Sequence, residues 1–224
     1  MSALVLIPTY NERENLPLIV DSVLKHADTR VLVIDDGSPD GTGAIADGLV
    51  ASSGGRVLVM HRSGPRGLGR SYLDGFRAAV KSDADHVVQM DADLSHDPRF
   101  LPALIASAES GAGLTIGSRY MAGGQVENWP VRRVMLSGFA NAYIRSVTGL
   151  AVRDCTSGYR CWQREALARL PLDRIASDGY SFLVEVTFQA AAAGIRIAEV
   201  PIVFVTSHVC VVARLVAAAG PRLV

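Results

Sequence analysis

Cysteine is scarce in this chain: Cys155, Cys161 and Cys210 are the only ones among 224 residues. An odd number at these spacings makes neither a disulfide framework nor a zinc site, so isolated buried thiols in a reducing compartment are expected. Net charge is absent too. Lys plus Arg and Asp plus Glu stand at 22 each, for a formal charge of +0. No long-range field therefore favours nucleic acid or an acidic membrane surface, and any anion site has to be a local cluster. No run approaches the roughly 20 apolar residues that span a bilayer; the late stretch 209–219 is short and contains Arg214. The N-terminus lacks a basic segment followed by an apolar one, so no signal peptide is expected. These absences lead to the expectation of a cytoplasmic chain without a transmembrane segment.

Several cofactor and nucleophile motifs are missing as well. The first apolar run, residues 4–7, leads into PTYNE rather than Gly-x-Gly-x-x-Gly, which disfavours nicotinamide and flavin chemistry. No Walker-type phosphate loop occurs. Ser38, Ser63 and Ser157 lack a nucleophile-elbow context, which weakens a serine hydrolase reading.

What is present is a hydrophobic content of 49% and a regular alternation of strand and helix signals in the first half. Residues 4–7, 31–34, 57–60, 86–90 and 114–116 read as short strands buried on both faces. Between them, helical spacing is clear in Leu16, Ile19, Val20, Val23, Leu24 and Ala27, with Asn11 expected as N-cap and Glu14 reaching back to it. Helices are also expected over 40–51, after the glycine-rich basic loop 64–69, and over 98–108. This is an α/β pattern, a mostly parallel Rossmann-like sheet with helices on both faces. The second half is less regular: a loop around Gly123 and Trp129, a helix near 134–147, a polar turn at 154–160, a helix over 180–193, and one or two strands within 195–205.

In such a sheet, ligands bind beyond the carboxyl ends of the strands. Those ends carry Glu12, Asp35, Asp36, Asp91 and Asp93. Crowded carboxylates repel unless something positive sits among them, and Mg²⁺ or Mn²⁺ is the economical answer. Asp91 and Asp93 would share a face if extended geometry persists through them, and could then hold a cation bridging a diphosphate. A lone Asp-x-Asp is more often a solvated turn, but this one directly follows an apolar strand. His96 is expected at the surface or capping a helix. Arg132 and Arg133 read equally well as a solvated helix start or as a phosphate site.

The strings PTYNERENL (8–16), VIDDGSPDGT (33–42), GLGRSY (67–72), MDADLSHDP (90–98), IGSRY (116–120), DCTSGYR (154–160) and GYSFLVE (179–185) follow one another in order. Together they resemble dolichol-phosphate (polyprenol-phosphate) mannosyltransferases, inverting glycosyltransferases of the GT-A fold, in the short form found in actinobacteria. The resemblance covers residues 3–205 and implies a catalytic domain over 1–205 followed by an atypical tail over 206–224. It implies transfer of mannose from GDP-mannose to a polyprenyl phosphate at the inner face of the membrane, with a membrane-embedded partner subunit in some cases. It implies that Pro8, Tyr10, Glu12, Asp35, Asp36, Asp91, Ala92 and Asp93 bind the donor. Asp91 and Asp93 would hold Mg²⁺ or Mn²⁺, with Ser95 where the family often has a further metal contact, Gln. Arg119, Arg133 and Ser137 would hold the acceptor phosphate, and Asp91, Asp93, Arg119 and Arg133 would carry catalysis. Two alternatives stay open: a UDP-glucose-type donor on the same acceptor, or a nucleotide-sugar-binding homologue with impaired catalysis. The second draws on residues 206–224. There EVPIVFV (199–205) is followed by TSHVCVVARL (206–215), without the Arg and Gly-x-Ser-Lys that the family carries, so reduced phosphate binding is expected.

Overall fold

The computed structural model describes residues 2–205, so the expectation for residues 206–224 lies outside the described part. The first strand, β1 (Ala3–Thr9), is the centre of the architecture. Its side chains alternate between two cores: Leu4 and Leu6 face one, Val5 and Ile7 the other. β2 (Thr29–Asp35) repeats the pattern, with Leu32 and Ile34 on the first side and Val31 and Val33 on the second. A period of two buried on both faces requires a layer of helix on each side. Each such buried aliphatic side chain contributes about 1.5–3 kcal/mol.

Helices α1 (Asn15–Leu24), α2 (Thr42–Ser52) and α4 (Leu101–Glu109) cover the Val5 side. Helix α3 (Leu68–Val80) covers the Leu6 side through Tyr72, Leu73 and Phe76, joined by α7 (Gly179–Ala192) through Phe182, Leu183 and Val186. The remaining strands of the main sheet are β3 (Val57–His61), β4 (His86–Gln89), β5 (Leu114–Ser118), β7 (Arg160–Gln163) and β8 (Ile197–Pro201). The 7-stranded order is β3-β2-β1-β4-β7-β5-β8. All neighbours are parallel except β7, which runs antiparallel to both β4 and β5. A separate pair joins β6 (Gln125–Glu127) to β9 (Val203–Val205).

The expected α/β layers are therefore present, with two local corrections. The segment 160–163 forms a central strand beyond the polar turn, because Trp162 is fully buried and donates its indole N–H to Gln89 Oε1 at 2.9 Å. Asn11 does not cap α1. Its φ is +60°, and its backbone N–H donates to Ser38 Oγ. The chain turns tightly here, and Leu16 N donates to Glu12 O at 2.8 Å, so the helix starts at Asn15. After α6 (Arg164–Leu167), the chain reaches α7. Helix α5 (Val131–Thr148) differs from the others: Asn141 is the only residue of it that is buried.

Candidate active site

The loops after β1 and β2 are stitched together. Thr9 Oγ1 donates to Asp35 Oδ1 at 3.3 Å, Asp36 N donates to Thr9 O at 3.0 Å, and Glu12 N donates to Thr42 Oγ1 at 3.0 Å. Pro8, Tyr10, Glu12, Asp35 and Asp36 thus stand together at the carboxyl ends of β1 and β2. Asp35 is buried and accepts Ser38 Oγ–H at 2.6 Å. Asp36 is buried as well, ion-paired to Arg62 through Oδ1 and accepting Gly67 N–H at 2.8 Å through Oδ2. Arg62 also reaches Asp74 at 2.8 Å. Protein groups therefore already satisfy this half of the expected acidic crevice. Among the described residues no group of three or more acidic, His or Cys side chains is arranged to hold a metal.

Asp91 and Asp93 are what remains for a cation. The extended form does not persist through them, because β4 ends at Gln89 and Leu94 takes φ +62° in the turn that follows. Both carboxylates nevertheless act on one buried group, the Tyr72 hydroxyl. It donates to Asp91 Oδ1 at 3.1 Å, and burial first, then Asp91 and Asp93, push its pKa well above the ordinary value. Tyr72 thus stays a donor. Asp93 Oδ1 accepts Ser95 N–H at 3.1 Å, which ties the turn. Ala92 is buried between them. A pair of carboxylate oxygens, with Asp91 34% exposed, fits the hard-oxygen donor set of Mg²⁺ or Mn²⁺, which leaves positions for phosphate and water. His96 is neither at the surface nor a cap: it is buried, its Nδ1 accepts Asp91 N–H at 3.0 Å, and its ring stacks on Tyr159 at 5.0 Å.

The glycine-rich loop closes the other flank. A Cβ on Gly67 would lie 2.0 Å from Asp178 Oδ2, and one on Gly69 2.9 Å from Ser177 O. Gly69 N donates to Asp178 Oδ1 at 2.7 Å. The loop thereby joins Asp36, after β2, to the start of α7. Arg66 lies over the Tyr10 ring at 4.8 Å and bonds its hydroxyl.

Arg119, Arg133 and Ser137 come together in one cavity of about 840 Å³ between α5 and α7. Its walls are mostly apolar, including Leu136, Ile144, Val184 and Phe188, and Arg119, Arg133 and Glu185 are charged residues that line it. Arg119 is buried against Asp154: Nε and Nη2 donate to its two oxygens at 2.7 Å each, and Nη2 reaches Thr156 Oγ1 at 2.8 Å. Burial alone would lower the Arg119 pKa, but the Asp154 hydrogen bonds and charge hold it above its ordinary value. Arg160, fully buried, donates to the carbonyls of Ser157, Leu183 and Cys155, and burial lowers its pKa to about 10. Sequence reasoning gave no role to Asp154, Tyr72 or Asp178. Asp154 and Tyr72 lie inside the motif strings, but only tertiary contacts reveal what they hold.

Residues 4–170 match the family described as Glycosyl transferase family 2. The chain is 50% identical over 203 residues to the polyprenol monophosphomannose synthase of Mycolicibacterium smegmatis, covering 90% of this chain and 76% of that protein. It is 45% identical over 206 residues to the undecaprenyl-phosphate mannosyltransferase of Micrococcus luteus, covering 92% and 84%. Among solved structures, the glucosyl-3-phosphoglycerate synthase of Mycobacterium tuberculosis with uridine diphosphate superposes with TM-score 0.65 at 24% identity, over 92% of this chain and 72% of that one. The same enzyme with Mn²⁺, UDP-glucose and phosphoglyceric acid gives TM-score 0.65 at 23%, over 91% and 70%. At that identity the likeness concerns the fold, which is GT-A. The chain belongs to glycosyl transferase family 2.

Proposed function

We propose that this glycosyltransferase moves mannose from GDP-mannose to a polyprenyl monophosphate, with inversion at the anomeric carbon. The observation that carries the reading is the cavity itself. A mostly apolar cavity that also presents Arg119 and Arg133 suits an amphiphile with an anionic head and a hydrocarbon tail. The names of the mycobacterial and micrococcal relatives support the same acceptor and sugar.

A phosphate monoester is ionised at neutral pH and needs no strong base. Its oxygen attacks the anomeric carbon while the bond to the diphosphate breaks; the nucleoside diphosphate leaves with the electron pair and the phosphodiester forms. Arg119, locked by Asp154, and Arg133 orient the attacking phosphate. Pro8, Tyr10, Glu12, Asp35, Asp36 and Ala92 shape the nucleotide side. Asp91 and Asp93 would hold Mg²⁺ or Mn²⁺, which when bound neutralises charge on the leaving diphosphate.

The same reading includes a peripheral position at the inner membrane surface. On α5, Val131, Met135, Phe139, Tyr143 and Val147 recur every fourth residue and are exposed, as is Tyr180 of α7. Exposed apolar stripes of this kind favour a lipid interface. No helix among the described residues is long and apolar enough to cross a membrane. A membrane-embedded partner subunit would meet this face.

The test is a donor panel assayed with farnesyl phosphate, with Mn²⁺, Mg²⁺ or chelator. Mannosyl transfer from GDP-mannose that disappears with chelator is expected. Preference for UDP-glucose, or donor binding without transfer, would overturn the reading.

A further inference from the structure

Arg119 and Arg133 face the same ligand but are held in different ways. Arg119 is fixed from behind: Asp154 and Thr156 take Nε and Nη2, and among the described residues the Nη1 donors have no hydrogen-bond partner. Arg133 is exposed on the first turn of α5, and no carboxylate among the described residues pairs with it. What it touches is Trp129. The Arg133 guanidinium lies 4.0 Å from the centroid of the indole ring, and the Arg119 guanidinium lies 5.6 Å from the same centroid. Two like charges brought together without a ligand repel. An aromatic ring within reach of both offers negative quadrupole density within the roughly 6 Å over which cation–π attraction is felt, and Arg119 also lies 5.3 Å from the Phe204 centroid and 5.4 Å from that of Tyr120. The ring is itself well placed to be rigid: it precedes Pro130, which restricts its backbone, and it meets the Phe204 ring edge-on at 5.6 Å.

We propose that Trp129 is a positioning residue for the acceptor phosphate: its indole parks the exposed Arg133 guanidinium on the same ring that Arg119 approaches, so that the two-pronged anion clamp exists before the ligand arrives. Part of the entropic cost of ordering a long, exposed side chain is thereby met in the free enzyme. The inference rests on the reading that Arg119 and Arg133 bind the acceptor phosphate. It adds a residue that touches neither reacting atom.

The experiment compares wild type, Trp129→Leu, Trp129→Phe, Arg133→Ala and the Trp129→Leu/Arg133→Ala double variant. Farnesyl phosphate is the varied substrate, and its binding without donor is measured by calorimetry. Far-ultraviolet circular dichroism checks folding. Trp129→Leu should raise the acceptor KM and Kd about tenfold, while donor KM and kcat stay within about twofold. Trp129→Phe should recover most of the loss. The double variant should bind no worse than Arg133→Ala alone, because the ring acts through that arginine. Additive losses, no rescue by Phe, or an equal change in donor KM would overturn the proposal while leaving the acceptor site intact. An Arg133→Ala variant with unchanged acceptor Kd would overturn the underlying assignment of the site instead.

Discussion

Asp154 meets Arg119 edge to edge, each carboxylate oxygen accepting one guanidinium N–H at 2.7 Å. Both are buried, and Asp154 is fixed in turn by Glu199, whose Oε1 accepts the Asp154 amide at 3.0 Å. Removing one partner of a buried pair strands the other charge, which costs about 3–5 kcal/mol. Asp154→Ala should lower the urea midpoint by a corresponding amount. Asp154→Asn keeps the volume and one acceptor, so it should fold more stably than the alanine variant yet bind farnesyl phosphate several-fold more weakly than wild type. Wild-type stability in Asp154→Ala, measured by equilibrium unfolding, would show that the pair does not hold the site.

The Tyr72 hydroxyl can be removed without disturbing its ring. The ring is buried and lies parallel to Phe182 at 6.1 Å, so Tyr72→Phe should retain the packing. The variant loses the hydrogen bond to Asp91, worth about 1.5–3 kcal/mol for a charged acceptor. The expected outcome is a several-fold weaker Mn²⁺ dependence of GDP binding, with acceptor Kd unchanged. Titration of Mn²⁺ at fixed GDP, followed by calorimetry, checks it.

Gly67 can be tested against a neighbour in the same loop. A methyl at Gly67 would enter the Asp178 carboxylate, whereas one at Gly64 meets nothing within 4 Å. Gly67→Ala should therefore displace Asp178 and destabilise the fold by about 1–3 kcal/mol, with weaker donor binding. Gly64→Ala should be near neutral. Thermal unfolding of the two variants side by side distinguishes a packing requirement at Gly67 from a general need for loop flexibility.

The layered α/β architecture could be read from the sequence because β1 and β2 are buried on both sides, and continuous apolar runs such as 4–7 and 31–34 record that directly. Strand β7 could not. Its residues Arg160 and Gln163 are polar, and they enter the sheet because Arg160 finds backbone carbonyls and Gln163 bonds Ala108 O at 2.7 Å. The convergence of Arg119, Arg133 and Ser137 was anticipated through family likeness, and the cavity unites them. At Asp36 the positive partner is Arg62, which follows the last residue of β3, a tertiary contact that local sequence does not encode. Trp129 was visible only as part of a turn; its meaning depends on two arginines separated from each other in sequence.

Alkaline pH should destabilise the protein through groups that the fold keeps protonated. Burial raises the pKa of Cys155 and Cys161 above 9.0, and that of Tyr159 well above 10.0. In the unfolded chain the thiols ionise near 9.0, so above that pH the native state holds more protons than the unfolded one, and stability falls as pH rises. The stabilisation is fully present below that pH and is lost as pH climbs toward the folded values. Arg160 works in the opposite sense. Burial lowers its pKa to about 10 from 12.5, so between those values the native state holds fewer protons and this contribution increases with pH. Below about pH 9 Arg160 scarcely opposes the thiols, and its opposition grows as pH approaches 10. The urea midpoint should thus decline steadily from about pH 8.5 to about pH 9.8. Cys161→Ala should start from a lower midpoint, because it leaves a cavity, but show a shallower decline. A wild-type midpoint that stays flat across this window, or a variant slope as steep as wild type, would show that the thiols are not the groups responsible.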